Sequence, residues 1–380
     1  LLNKKRVAGF YVHIPFCAQK CSYCDFHFSI HFESYRDEML KSIAQEIVLR
    51  KGEVRSPLLS IYFGGGTPSL LTEKELSFLL STIRQNYTVD NHAEVTLEAN
   101  PEDVSFKSLK NWQEMGINRL SVGLQSFKSS DLEWMNRGHS AVQTIKCIET
   151  AYTGGFNDIS VDLMYGLPGL TIQEWNSHLE SVVCANITHV SAYCLTVEKG
   201  TKLEREVKKG RRVIPEDDVI EQQYKLLVSK LKNAGFEQYE VSNFARNKKY
   251  SKHNSAYWKG VSYLGVGPSA HSFRLGYRRW NVSNNKIYIK NIKENSRFHE
   301  DEALCDKDVW NELFLTGFRT RWGVSKKNIA SLGGFSKSEK TVLHDYISAG
   351  KIKEDESSLF LEGDGFLFAD GVAQDFFRTS

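Results

Sequence analysis

The sequence lacks any apolar run near the roughly 20 residues that cross a bilayer, which argues against a membrane-spanning segment. Peripheral association through a partner is left open. It also lacks charge of one sign: 49 Lys and Arg against 46 Asp and Glu leave a formal net charge of +3. That near-balance gives no basis for nucleic-acid binding, which shows as a marked basic excess or stripe. Proline is scarce at seven residues, and no repeat or low-complexity tract occurs. The opening residues 1–6 are basic but lead into a strand-like stretch without a small-residue cleavage site. A secretory signal is therefore not expected.

Cysteine is sparse and unevenly placed. Of seven, three crowd into residues 17–24, while Cys147, Cys184, Cys194 and Cys305 are scattered. An odd, clustered set suits a reducing compartment with one metal site better than a disulfide framework, so the expected location is cytoplasmic. The four scattered cysteines read most simply as small buried apolar residues.

Six β-branched or aromatic runs recur at residues 10–14, 59–63, 94–98, 119–124, 159–164 and 190–195. Between them Met39, Ile43 and Ile47 recur every four residues, and Leu76, Leu79, Leu80 and Ile83 keep the same helical spacing. Leu109, Trp112 and Met115 follow suit before the fourth strand. Alternating strands and helices imply parallel βαβ units. Six of them predict an α/β fold, a partial (β/α)6 barrel over residues 1–196 with its chemistry at the C-terminal strand ends.

The pattern then breaks. A connecting region, 197–300, opens with a charged run at residues 202–212 that reads as a solvated linker or helix face. A helix over 219–234 and an aromatic, Gly-rich stretch follow. Residues 301–380 predict a small α+β module: a helix, a turn at Gly333-Gly334, another helix and a hairpin around Gly363-Asp364-Gly365. Gly265-Val-Gly267-Pro268-Ser-Ala270 matches a dinucleotide-binding fingerprint, but it does not open a βαβ unit and Pro268 removes an N–H from the phosphate turn.

The chemistry lies in Cys17-x3-Cys21-x2-Cys24, a loop just beyond the first strand. Thiolates are the usual ligands of iron–sulfur clusters, and a cubane normally takes four. Three leave one iron open, suited to the amino and carboxylate groups of S-adenosylmethionine. A zinc site with an unseen fourth ligand, or chance clustering in the core, are the competing readings.

The flanking residues carry a resemblance. Cys17-x3-Cys21-x2-Cys24 resembles the signature of the radical S-adenosylmethionine (radical SAM) superfamily. Tyr11-x-His13-Ile14-Pro15, Gly64-Gly65-Gly66-Thr67-Pro68, Glu98-Ala-Asn-Pro101, Gly123-Leu-Gln125-Ser126 and Asp162-Leu-Met-Tyr-Gly166-Leu-Pro168 are similar to motifs of its coproporphyrinogen-oxidase-like branch. They run in order from about residue 9 to 285, and more loosely to the end. The resemblance implies a 4Fe–4S cluster on Cys17, Cys21 and Cys24. It implies S-adenosylmethionine contacts at Tyr11, Gly65, Gly66, Thr67, Glu98, Gln125, Arg137 and Asp162. Glycines at a strand end are expected to let backbone groups reach the methionine moiety.

Two departures weigh against an oxidase. The oxidases carry a further cysteine two places beyond the third, where this chain has Phe26, and few residues precede Tyr11. His253-Asn254-Ser-Ala-Tyr257-Trp258 instead resembles the H-N-x-x-Y-W motif of the haem chaperones of that branch. His253 is then the candidate haem ligand, with Tyr257 and Trp258 as a flat apolar wall and His271 as a weaker second candidate. The resemblance implies haem as cargo, acceptor haemoproteins, an electron donor, and a winged-helix-like C-terminal domain that meets a partner rather than DNA.

Overall fold

The computed structural model describes residues 8–379; the basic opening at residues 1–6 lies outside them. Six parallel strands form its centre: β1 (Ala8–Ile14), β2 (Leu58–Gly65), β3 (Val89–Ala99), β4 (Arg119–Gln125), β5 (Ile159–Tyr165) and β6 (His189–Cys194). They lie side by side in chain order. Each of the five crossovers contains a helix, and four of those helices begin with a reciprocal capping box: Thr72 with Glu75, Ser105 with Ser108, Ser140 with Gln143, Thr171 with Glu174. The expected apolar stripes face inward: Met39, Ile43 and Ile47 are fully buried, as are Leu79, Ile83 and Leu109. β1 is buried along both faces except at Tyr11, as befits a central parallel strand.

The six strands are extended at both edges by further pairings among the described residues. β6 pairs antiparallel with β8 (Asn243–Ala245), which pairs with β7 (Glu237–Glu240). β1 pairs on its free side with β9 (Tyr263–Val266), followed by β10 (His271–Arg274), β11 (Tyr277–Asn281) and β12 (His299–Ala303). Residues 197–300 thus extend both edges of one twelve-stranded sheet.

Beyond β12, helices Asp306–Phe318, Lys326–Ser331 and Lys337–Ser348 surround a small sheet of β13 (Val324–Ser325), β14 (Lys353–Glu354) and β15 (Ser358–Phe360). Phe314 and Phe376 stack 4.8 Å apart in its core. The hairpin is not at Gly363-Asp364-Gly365. It joins β14 to β15, where the Asp355 carboxylate accepts the N–H groups of Ser357 and Ser358 in an Asx turn. Gly363–Phe368 is a 3-10 helix, which buries Phe366. The module meets the large sheet through Val241 N–H on the Arg319 carbonyl (3.0 Å) and Arg321 N–H on the Tyr239 carbonyl (3.1 Å).

The glycines of the decoy fingerprint are packing devices. A Cβ at Gly265 would lie 2.0 Å from the His271 carbonyl oxygen, and one at Gly267 would lie 2.5 Å from that of His13. Gly267 is held there by Glu46, a fully buried carboxylate. Glu46 accepts from Gly267 N–H (2.8 Å), Tyr288 hydroxyl (2.6 Å), Asn281 Nδ2 (2.9 Å) and Arg50 (2.9 Å). Glu46→Ala takes one of two carboxylate partners from Arg50, which keeps Glu53, and leaves the buried Gly267 N–H and Tyr288 hydroxyl unpaired; it should destabilise the fold by about 3–5 kcal/mol. Chemical denaturation of variant and wild type side by side measures it.

Candidate functional site

Past Ile14 the chain enters the cysteine loop, which neighbours fasten from several sides. Cys17 N–H donates to the Ser29 carbonyl (3.1 Å), Ser22 N–H to that of Met135 (3.1 Å), and Asn136 Nδ2 to that of Lys20 (2.9 Å). Leu203 N–H donates to the Ser22 carbonyl (2.9 Å). The three half-buried thiols open into one cavity of about 1040 Å³. Burial pushes the Cys17 thiol up to about 11 and the Cys24 thiol to about 12. Thiols so placed ionise when a cation offsets the burial, as cluster iron does. Among the described residues no group of three or more His, Cys, Asp or Glu is placed to hold a single metal ion. All three thiols line the same cavity.

All eight residues expected to contact S-adenosylmethionine line that cavity. They come from successive strands: Gly65, Glu98 and Gln125 from the C-terminal ends of β2, β3 and β4, with Gly66 and Thr67 just after β2, and Tyr11 and Asp162 from the middle of β1 and β5. Arg137 follows helix Ser129–Met135. Its guanidinium is anchored on the Asn100 side chain and the Gly123 carbonyl, both at 2.7 Å, and reaches to 3.7 Å from Cys21 Sγ. Its Nε is buried without a hydrogen-bond partner. Glu98 accepts from the Tyr62 hydroxyl (2.7 Å) and Gly65 N–H (3.2 Å), and burial raises its pKa to about 7. Burial likewise raises Asp162 to about 6. Gln125 sits at φ +67°, a backbone conformation costing about 1–3 kcal/mol in a residue with a side chain. Such strain at a strand end marks a position held for its aim.

The glycines also answer a packing requirement. Gly65 has φ +111°, and a Cβ there would lie 2.7 Å from the His13 ring; one on Gly66 would lie 2.5 Å from the Phe16 carbonyl oxygen. Their N–H groups are taken, Gly65 by Glu98 and Gly66 by the Ile14 carbonyl (2.9 Å). These two N–H groups clamp strand to loop.

The His253 motif forms helix Lys252–Trp258, whose first N–H groups, on Lys252 and His253, donate to the buried Glu94 carboxylate at 2.8 and 2.9 Å. His253, Asn254 and Tyr257 line the same cavity. His253 is buried, its Nδ1 2.9 Å from Ser60 Oγ and its Nε2 3.2 Å from the Tyr257 hydroxyl. Its ring stacks on Tyr62 with centroids 4.9 Å apart, and burial lowers its pKa to about 3. Trp258 turns the other way, under the Arg319 guanidinium at 5.2 Å. The flat wall expected of Tyr257 and Trp258 together is therefore not formed. His271 is exposed beside Trp280, outside the cavity.

A model of the radical SAM superfamily matches residues 11–182. The haem chaperone HemW of Bacillus subtilis is 36% identical over 368 residues, 95% of this chain and 97% of its own length. Radical S-adenosyl methionine domain-containing protein 1, mitochondrial, of Danio rerio is 39% identical over 84% of this chain and 74% of its own. The chain belongs to the HemW family of radical SAM proteins. The solved coproporphyrinogen III oxidase of Escherichia coli shares the fold, with a TM-score of 0.85 over 98% of this chain and 90% of its own, at 22% identity. Family membership implies a 4Fe–4S cluster and bound S-adenosylmethionine, and the donor set fits both: three thiols, two buried acids for an ammonium and hydroxyls, and an arginine with a free buried N–H.

Sequence reasoning passed over Tyr62 and Asn100, which hold Glu98 and Arg137. Both lie within or beside the motifs, but nothing in their type told them from packing residues. It also misjudged three cysteines. Cys147 is buried, but Cys184 and Cys305 are exposed, and half-buried Cys194 lines the cavity. Because the raised Glu98 carboxyl must lose its proton to pair with an ammonium, S-adenosylmethionine affinity should rise about tenfold from about pH 6 to about pH 8. Binding isotherms on cluster-loaded protein check this; Glu98→Gln should bind weakly and lose most of the pH dependence.

Proposed function

We propose that this protein binds haem and delivers it to acceptor haemoproteins, among them respiratory ones, in the cytoplasm. Its HemW relatives carry the name haem chaperone across nearly the full length of the match. The observation that carries the reading is the shape of the cavity. Pockets for drug-sized ligands run to about 300–1,000 Å³. This one reaches about 1040 Å³ and continues past the S-adenosylmethionine residues. The continuation has apolar walls, Met164, Leu195, Ile220, Val241, Phe366 and Leu367, with Phe26 also on the lining. Phe26 stands where the oxidases carry their further cysteine. Arg319 also faces the continuation, with its Nε buried and unpartnered. A flat apolar macrocycle with carboxylate edges suits such a compartment.

The two halves divide the chemistry. The cluster, when bound, supplies the electron that opens the sulfonium bond of S-adenosylmethionine. Glu98 and Asp162 take up the ammonium and hydroxyl groups, and Arg137 pairs with the carboxylate. His253 lines the cavity and is the candidate haem ligand, gained at the expense of its contact to Tyr257.

Haem titrated into anaerobic, cluster-loaded protein should give saturable binding in the Soret band, weakened about tenfold or more in His253→Ala. Absence of saturable haem binding, or conversion of coproporphyrinogen III to protoporphyrinogen IX by the wild type, would overturn the reading.

A further inference from the structure

The charged run read from sequence as a solvated linker is fixed to the cysteine loop. Thr201 caps helix Lys202–Lys208, and Leu203 is fully buried. The N–H of Leu203 donates at 2.9 Å to the Ser22 carbonyl, between the second and third cysteines. At the other end of the run the Arg212 guanidinium lies 5.2 Å over the Trp134 ring. Trp134 adjoins Met135 and Asn136, which bond to Ser22 and Lys20 of the same loop.

Residues 199–212 hold seven basic and two acidic side chains, in a chain whose net charge is only +3. Glu204 pairs with Lys208, and Glu206 pairs with Lys202 and Arg212. Lys199, Arg205, Lys209 and Arg211 are exposed and make no ion pair among the described residues. Ala18, Gln19 and Lys20, the outer arc of the cysteine loop, are exposed too. Four cations without an ion pair therefore lie on the segment fixed to that arc, with Glu198 and Asp25 as its exposed acidic neighbours.

We propose that this face docks an acidic one-electron carrier protein that reduces the cluster. The inference rests on the reading that Cys17, Cys21 and Cys24 hold that cluster. Single exposed charges contribute little to affinity, but several of one sign raise the on-rate of an oppositely charged partner by about 10–10³-fold. The electron balance is one for one: the carrier is oxidised by one electron, the cluster is reduced by one, and no atom is transferred. An anionic membrane would feel the same charges, but it has no use for a surface bordering the cysteine loop.

The test uses cluster-loaded protein with Lys209→Glu/Arg211→Glu, two exposed positions outside the cavity. Flavodoxin, an acidic carrier, supplies both readouts: affinity of its oxidised form by calorimetry, and the rate at which its reduced form bleaches the cluster. Both should fall about tenfold or more in the variant and, for the wild type, fall with added salt. Bleaching by dithionite, which needs no docking face, should be unchanged. Equal flavodoxin affinity in variant and wild type overturns the proposal. So does a variant that loses only its sedimentation with phosphatidylserine vesicles. Failure of dithionite to bleach the wild type overturns the cluster reading beneath it, and a haem titration remains independent of either result.

Discussion

At residue 66 the end of β2 and the start of the cysteine loop touch so closely that no side chain fits between them. Gly66 and Thr67 donate to the carbonyls of Ile14 and Phe16 at 2.9 and 2.6 Å, and Thr67 Oγ1 comes within 3.5 Å of Cys17 Sγ. The first thiol is thereby placed by the same turn whose Gly65 N–H holds Glu98. Cluster side and ammonium side share one reference. Behind that turn His13 presses on Gly65 with its ring and on Gly267 with its carbonyl, and Gly267 hangs from Glu46. A buried carboxylate on the first crossover helix thus backs the whole clamp, with no atom of its own in the cavity. The precision of the site comes from backbone contact, which tolerates no added methylene.

The electrostatics complement what is to be bound. The carboxyls of Glu98 and Asp162 and the half-buried thiols of Cys17 and Cys24 are all driven toward their neutral forms by desolvation. Arg137 is the cation that spans the two groups, between Asn100 and Cys21. A site holding this many ionised acids without partners would be costly to bury. Iron, an ammonium and a sulfonium all bring positive charge, which favours the ionised forms of these acids and thiols. Residues placed to bind are therefore poorly satisfied when alone, and Arg137 Nε is the plainest instance.

Much of this was legible from the chain. The strands and helix faces followed from periodicity, which depends on local sequence and on a topology that leaves few alternatives, while the eight cavity residues followed from the family resemblance. What stayed hidden depends on distant partners. Tyr62 matters because it meets Glu98, and no spacing rule links residues on different strands. Gly-Asp-Gly suggested the last hairpin, yet Asp355 supplies the turn by bonding its own backbone, while Phe366 is drawn into the core on a helical turn. Cys184 and Cys305 look alike in sequence to buried Cys147, because a single cysteine carries no periodicity. The basic run was read by composition alone, and composition cannot show that Leu203 ties it to Ser22.

The motif at His253 shows the same limit from the other side. Sequence places His253, Tyr257 and Trp258 together, but a single helical turn sends Trp258 away from the other two, toward Arg319. What remains in the cavity is a stack, with His253 on Tyr62 and Tyr62 on Glu98 through its hydroxyl. The ring cannot change its partners without disturbing Tyr62, and Tyr62 cannot move without freeing the carboxyl that faces the ammonium. His253 and Glu98 therefore share one wall through Tyr62. The Glu94 carboxylate that caps the motif's helix belongs to β3, the strand that ends in Glu98. One strand thus positions the carboxyl at the cofactor and the helix that carries the candidate haem ligand, so neither half of the cavity is set independently of the other.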